Sequence, residues 1–158
     1  MPTQFLDLRL SEHNSGIGNV SQPLNVVPQL IGDLGIQTLG AVGTPNENDV
    51  RVSLTGSLTV YKFLDTPDDT DITVVIERNG NGTINSGTAI YESTVRPGPV
   101  QGTAFTISIT ASDFPNAAIV TNGQIRYSLF VYSTLEVGND GVLLYAAVFN
   151  GVAMAGSN

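Results

Sequence analysis

The stretch "VRVSLTGSLTVYKF", residues 50–63, decides the class of this chain. Val50, Val52, Leu54, Leu58 and Val60 fall on one side of an alternation, with Gly56 in line between them. Arg51, Ser53, Thr55, Ser57 and Thr59 fall on the other. A period of two is what a half-buried strand requires, because successive side chains leave a pleated backbone on opposite sides. A glycine in mid-strand predicts a bulge or a bend that curls the sheet.

The same reading extends in both directions. "ITVVIER", 72–78, points Ile72, Val74 and Ile76 one way, and the following "NGNG", 79–82, predicts a turn, since Asn and Gly tolerate positive φ. A strand over about Thr88 to Val95 pairs back, and "TAFTISITA", 103–111, carries Phe105, Ile107 and Ile109 inward. Residues 112–123 read as a loop. "QIRYSLFVYST", 124–134, aligns Ile125, Tyr127, Leu129 and Val131. "VLLYAAVFNGVAMA", 142–155, is apolar on both faces, which predicts a central or covered strand. "PLNVVPQLIGDLGIQTLGA" adds one or two short strands upstream. The pattern predicts an all-β fold: a single antiparallel jelly-roll sandwich of about eight strands with an extended N-terminal arm, and an immunoglobulin-like sandwich as the alternative. No helical period of useful length competes with it.

The arm is "TQFLDLRL", residues 3–10, followed by the polar, glycine-bearing "SEHNSGIGNVSQP". Leu6, Leu8 and Leu10 alternate with Phe5, Asp7 and Arg9, so this is a strand with one apolar face, and a lone strand is not stable in water. It must find a sheet edge in its own domain or in a neighbour's. The division is residues 1–22 as a connector arm and 23–158 as the sandwich. Asn14, Gly16 and Gly18 supply a flexible hinge and Pro23 a stiff entry to the domain. Fully extended, residues 11–23 reach about 45 Å at roughly 3.5 Å per residue, so a neighbouring subunit is within range.

Composition narrows the function. Charged residues are 13% of the chain and the net charge is −8, the reverse of the basic footprint that nucleic acids or anionic membranes select. There is no cysteine, so no disulfide and no thiolate metal site. No stretch is long and apolar enough to span a bilayer, and the amino terminus lacks the pattern of a Sec-type signal peptide. No catalytic constellation emerges. His13, the one histidine, lies in the arm, where nothing would hold a base in place. Lys62 ends a strand and reads as an exposed charge; an intramolecular amide crosslink from it lacks a carboxylate catalyst. "DTPDDTD", 65–71, has the oxygen ligands calcium uses but not the spacing of a calcium loop, and a solvated turn explains it. Glu77 and Glu92 face one another across a predicted hairpin, yet nothing else supports a glycosidase pair. The expectation is therefore no enzyme, no cofactor and no metal.

The connector followed by strands such as "VSLTGSLTVY", "ITVVIERNGNG" and "GVLLYAAVFNG" resembles the jelly-roll subunits of bacterial endospore appendages and related spore-surface proteins. The resemblance implies a structural protein made in the mother cell and assembled on the spore surface. Its partner would be itself, in a homopolymer, with a spore-surface anchor protein as a further partner. Appendage subunits carry connector cysteines that this chain lacks, so only non-covalent strand addition is open to it, with Phe5, Leu6, Leu8 and Leu10 as subunit-interface residues. The alternative is a trimeric head resembling C1q and tumour necrosis factor, either a spore-surface knob or the tip of a phage fibre, that binds a surface or glycan.

Overall fold

The computed structural model describes residues 3–13, 21–99 and 102–156. Among the described residues, nine strands form two antiparallel sheets. They are β1 (Gln4–His13), β2 (Gln22–Pro23), β3 (Gln29–Gln37), β4 (Val50–Lys62), β5 (Ile72–Arg78), β6 (Thr88–Val95), β7 (Thr103–Asp113), β8 (Gln124–Ser133) and β9 (Val142–Ala155). One sheet runs β1-β9-β4-β7, with β2 also paired to β9, and the other runs β3-β8-β5-β6. Two such sheets face to face make the jelly roll.

The alternations explain why the sheets pack. Leu54, Leu58 and Val60 from β4 meet Ile72, Val74 and Ile76 from β5 and Tyr127, Leu129 and Val131 from β8, all fully buried. β9 is central, held between the shared β1/β2 edge and β4. Its Phe149 reaches so far across the core that a Cβ on Gly32 of β3 would lie 2.9 Å from it. A polar clamp ties the sheets together at one end. Asp113 at the end of β7 accepts from Arg78 Nη1 of β5 at 2.8 and 2.9 Å, and from the Tyr127 hydroxyl of β8 at 2.8 Å.

Four expectations are corrected. Gly56 marks no bulge in β4: its pairing with Ile109 continues an unbroken register with β7. The glycine instead permits close approach, because a Cβ there would sit 2.8 Å from the Val148 carbonyl oxygen of β9. Lys62 is not an exposed strand-end charge but is wholly buried. It holds the inward phase of β4, and its ammonium donates to the Gly98 carbonyl and lies 3.4 Å from Asp68 Oδ1. Glu77 and Glu92 are not opposed. Glu77 pairs with Ala89 and Val75 with Glu92, and the buried Glu77 carboxylate accepts the backbone N–H groups of Asn85 and Gly87. It therefore ties down the 79–87 loop. Finally, residues 112–123 contain a short helix, Ala117–Val120, capped by the Asn116 side chain on Ile119 N.

The polar tether is also shorter than expected. Ser11, Glu12 and His13 belong to β1, and Gln22 and Pro23 to β2. Both strands lie along β9, and His13 Nε2 is 3.0 Å from Gln22 Oε1. The hinge residues Asn14, Gly16 and Gly18 lie outside the described residues; Pro23 is opposite Leu143 of β9.

Candidate interaction surface

The arm strand occupies the edge of its own sheet. β1 pairs with β9 from Gln4↔Ala155 to His13↔Ala147, and the register slips between Phe5 and Asp7, leaving Leu6 as the extra residue. This one bulge overturns the expected common face of Leu6, Leu8 and Leu10. Leu6 turns in and packs against the core beside Gly40. Beyond it the phase inverts: Asp7 and Ser11 face the other sheet, and Leu8 and Leu10 face out.

The inward polar residues have a task. β3 is an edge strand with unpaired donors. The Gln37 N–H donates to Asp7 Oδ2 at 2.8 Å, and the Asp33 N–H reaches Ser11 Oγ at 3.4 Å. Burial works against the Asp7 charge, but the Gln37 N–H and the Arg9 guanidinium outweigh it and hold the carboxyl below its usual range.

The outward residues make a surface. Phe5 is 62%, Leu8 48% and Leu10 71% exposed. Opposite them on β9 stand Met154, Val152 and Asn150, and the β9 outer row continues through the exposed Val148. Beyond β9 come the outer Ser53, Thr55, Ser57 and Thr59 of β4, followed by the outer Thr106, Ser108, Thr110 and Ser112 of β7. Among the described residues of these strands, charge on this face is confined to Glu12 and Arg51. Four strands about 4.8 Å apart and roughly a dozen residues long cover on the order of 750 Å², close to the ~800 Å² that each partner contributes to a standard interface.

The expected interface set is thus divided. Phe5, Leu8 and Leu10 lie together on an open apolar face, and Leu6 anchors the strand to its own core. The β9, β4 and β7 contributors were missed, although the two-sided apolar pattern of 142–155 pointed to those of β9. The "DTPDDTD" loop places Asp71 in a bidentate pair with Arg96 and Asp68 beside Lys62. No group of three or more His, Cys, Asp or Glu side chains close enough to hold a metal ion occurs among the described residues, and no helix among them is long and apolar enough to cross a membrane.

No family model matches the chain, and no curated protein is significantly similar to it. Solved structures with a similar fold include the VP2 subviral particle of infectious bursal disease virus, at 11% identity and a TM-score of 0.49 over 94% of this chain. The Eiger TNF of S. frugiperda is similar at 16% identity and a TM-score of 0.45, over 98% of this chain and 96% of that one. Rhinovirus-B5 is more distant, at 11% identity and a TM-score of 0.34. The chain spans about a third of the length of the bursal disease virus chains it matches. The jelly-roll assignment of this chain rests on its own strand order, β1-β9-β4-β7 against β3-β8-β5-β6.

Proposed function

We propose that this protein is a non-catalytic structural subunit that assembles with copies of itself through the outer face of the β1-β9-β4-β7 sheet, forming a discrete oligomeric head. The observation that carries this reading is the nearly uncharged face on which Phe5, Leu8, Leu10, Val152 and Met154 stand together. Covering Leu8, Leu10 and Val152 contributes roughly 1.5–3 kcal/mol each, against an association cost of about 4–15 kcal/mol. The apolar strip therefore needs the Ser/Thr remainder of the face packed with it. The paired substitutions Leu8→Glu and Val152→Glu test it. Both positions are at the surface, so the fold survives while charge is buried in any face-to-face contact. Sedimentation velocity should show oligomer for the native chain and monomer for the double variant. A native chain that stays monomeric at high micromolar concentration refutes the reading.

A second reading is strand exchange into an extracellular fibre, the spore-appendage arrangement, with β1 leaving for the β9 edge of a neighbour. One feature favours it. His13 and Gln22 sit opposite Ala147 and Leu144, three residues apart on β9, a gap of about 10 Å. Residues 14–21 connect them and could extend over roughly 28 Å, so the connection is long enough to carry β1 elsewhere. Negative-stain microscopy separates the two: filaments support exchange, and discrete particles support the face.

A further inference from the structure

At one end of the sandwich, the β4–β5 and β8–β9 loops enclose an open cleft of about 390 Å³ lined by Phe63, Asp65, Thr66, Asn139, Asp140 and Gly141. This is within the size range of small-ligand sites. The cleft is braced at Gly141. The Gly141 carbonyl accepts from Phe63 N at 3.0 Å and from Thr66 Oγ1 at 2.5 Å, while its N–H donates to Asn139 Oδ1 at 2.8 Å. A Cβ at Gly141 would lie 2.7 Å from Thr66 Oγ1 and 2.9 Å from Asn139 Oδ1. A larger residue there would have to displace the Thr66 and Asn139 side chains that brace the loops.

The groups left facing the opening have a definite chemistry. Phe63 is 41% exposed, and its ring is set by an edge-on contact with Tyr61 at 4.9 Å, which in turn stacks on Tyr145 at 5.6 Å. Asp65 and Asp140 are exposed carboxylates, whereas the neighbouring Asp68 and Asp71 face Lys62 and Arg96. An apolar ring beside free acceptors matches a pyranose, whose C–H face packs on an aromatic while its hydroxyls donate to carboxylates and amides. The surplus of negative charge repels acidic sugars.

We infer that this cleft binds an uncharged pyranose ring of a glycan, with Phe63 as the packing surface and Asp65, Asp140 and the Asn139 amide as hydroxyl partners. The site lies at the loop end of the sandwich and does not depend on how the subunits assemble.

The test is an amide-resonance titration of the ¹⁵N-labelled full chain with methyl β-D-galactopyranoside, methyl α-D-mannopyranoside and methyl β-D-glucopyranoside, with N-acetylneuraminic acid and calcium chloride as separate arms. At least one neutral glycoside should shift resonances of 63–66 and 139–141 saturably. Asp65→Asn and Asp140→Asn should each weaken it about tenfold, the loss expected for a hydrogen bond to a charged group, and Phe63→Ala should weaken it at least as much. The aspartates are exposed, so their spectra elsewhere should be unchanged. The inference is overturned if no neutral glycoside shifts these residues, if the variants bind as the native chain does, or if only the acidic sugar or calcium acts there.

Discussion

Removing the Asp113 carboxylate should be among the most damaging single substitutions in the molecule. The carboxylate is nearly buried and takes two contacts from Arg78 Nη1 and one from the Tyr127 hydroxyl, joining strands of both sheets. Asp113→Ala leaves the largely buried Arg78 cation uncompensated, a loss of about 3–5 kcal/mol. It also strands a fully buried hydroxyl, for roughly 1–3 kcal/mol more. Against a total stability of about 5–15 kcal/mol, this is a large fraction. It should lower Tm by on the order of 10 °C, at about 2–4 °C per kcal/mol for a chain of this size. Tyr127→Phe alone removes one donor but leaves the ion pair, and should cost about 1.5–3 kcal/mol. When Asp113→Ala is already present, the same change should cost nothing or recover part of the stranded-hydroxyl penalty, because the hydroxyl has lost its acceptor. Urea unfolding followed by circular dichroism measures all four corners of this cycle. A loss under about 1 kcal/mol for Asp113→Ala, or fully additive single effects, would show that the clamp does not couple the sheets.

The same cluster predicts alkaline sensitivity. Burial, with the neighbouring Asp113 charge and hydrogen bond, raises the Tyr127 pKa far above its ordinary value, so its contribution is complete below about pH 10 and is lost as pH rises beyond it; Tyr127→Phe should flatten the alkaline limb of a stability–pH curve. The acid limb has the opposite sign. The Arg96 hydrogen bonds lower the Asp71 pKa, so that contribution is present above about pH 4 and is lost as pH falls through the folded value, and Arg96→Gln should remove it from acid-unfolding curves. Gly56→Ala should cost about 1–3 kcal/mol in urea unfolding, because the new methyl meets the β9 backbone and not a side chain that can swing away. Of the Asn-Gly pairs, Asn122–Gly123 lies in an exposed turn and Asn150–Gly151 inside the β9 ladder. Peptide mapping of aged protein should find faster deamidation at Asn122, whose side chain is exposed in a turn, than at Asn150, whose backbone is held extended between two neighbouring strands.

Strand positions were legible wherever one face is buried, and β5, β6 and β9 begin and end where alternation and turn residues place them. The failures share a cause: each depends on a tertiary or loop contact that the alternation of side chains does not encode. Lys62 looks like a surface charge because its acceptors, Gly98 and Asp68, lie on loops that the fold brings over the end of β4. Glu77 looks free to face Glu92, but the loop that follows folds back and donates two N–H groups to it. Gly56 announces an irregularity, and only the neighbouring β9 shows that the reason is closeness to its carbonyl. The candidate surface was half legible: its β1 residues stood out as a sticky strand, but which way they point depended on a bulge that alternation alone does not reveal.

That bulge links stability to the proposed interface. An edge strand such as β3 must have its outward donors satisfied or it invites unwanted pairing. Here the donors at Gln37 and Asp33 are met by Asp7 and Ser11, side chains of the opposite sheet. For these polar groups to face inward, Leu8 and Leu10 must face outward, because successive residues of a regular strand point to opposite sides. The slip after Leu6 reconciles this with a hydrophobic anchor: one leucine stays in the core, and the strand then inverts. Closing the sandwich edge and exposing the apolar face are therefore one structural event. A chain with no cysteine to staple its first strand keeps it in place by polar bonds to β3 and backbone bonds to β9, and its outward leucines stay exposed.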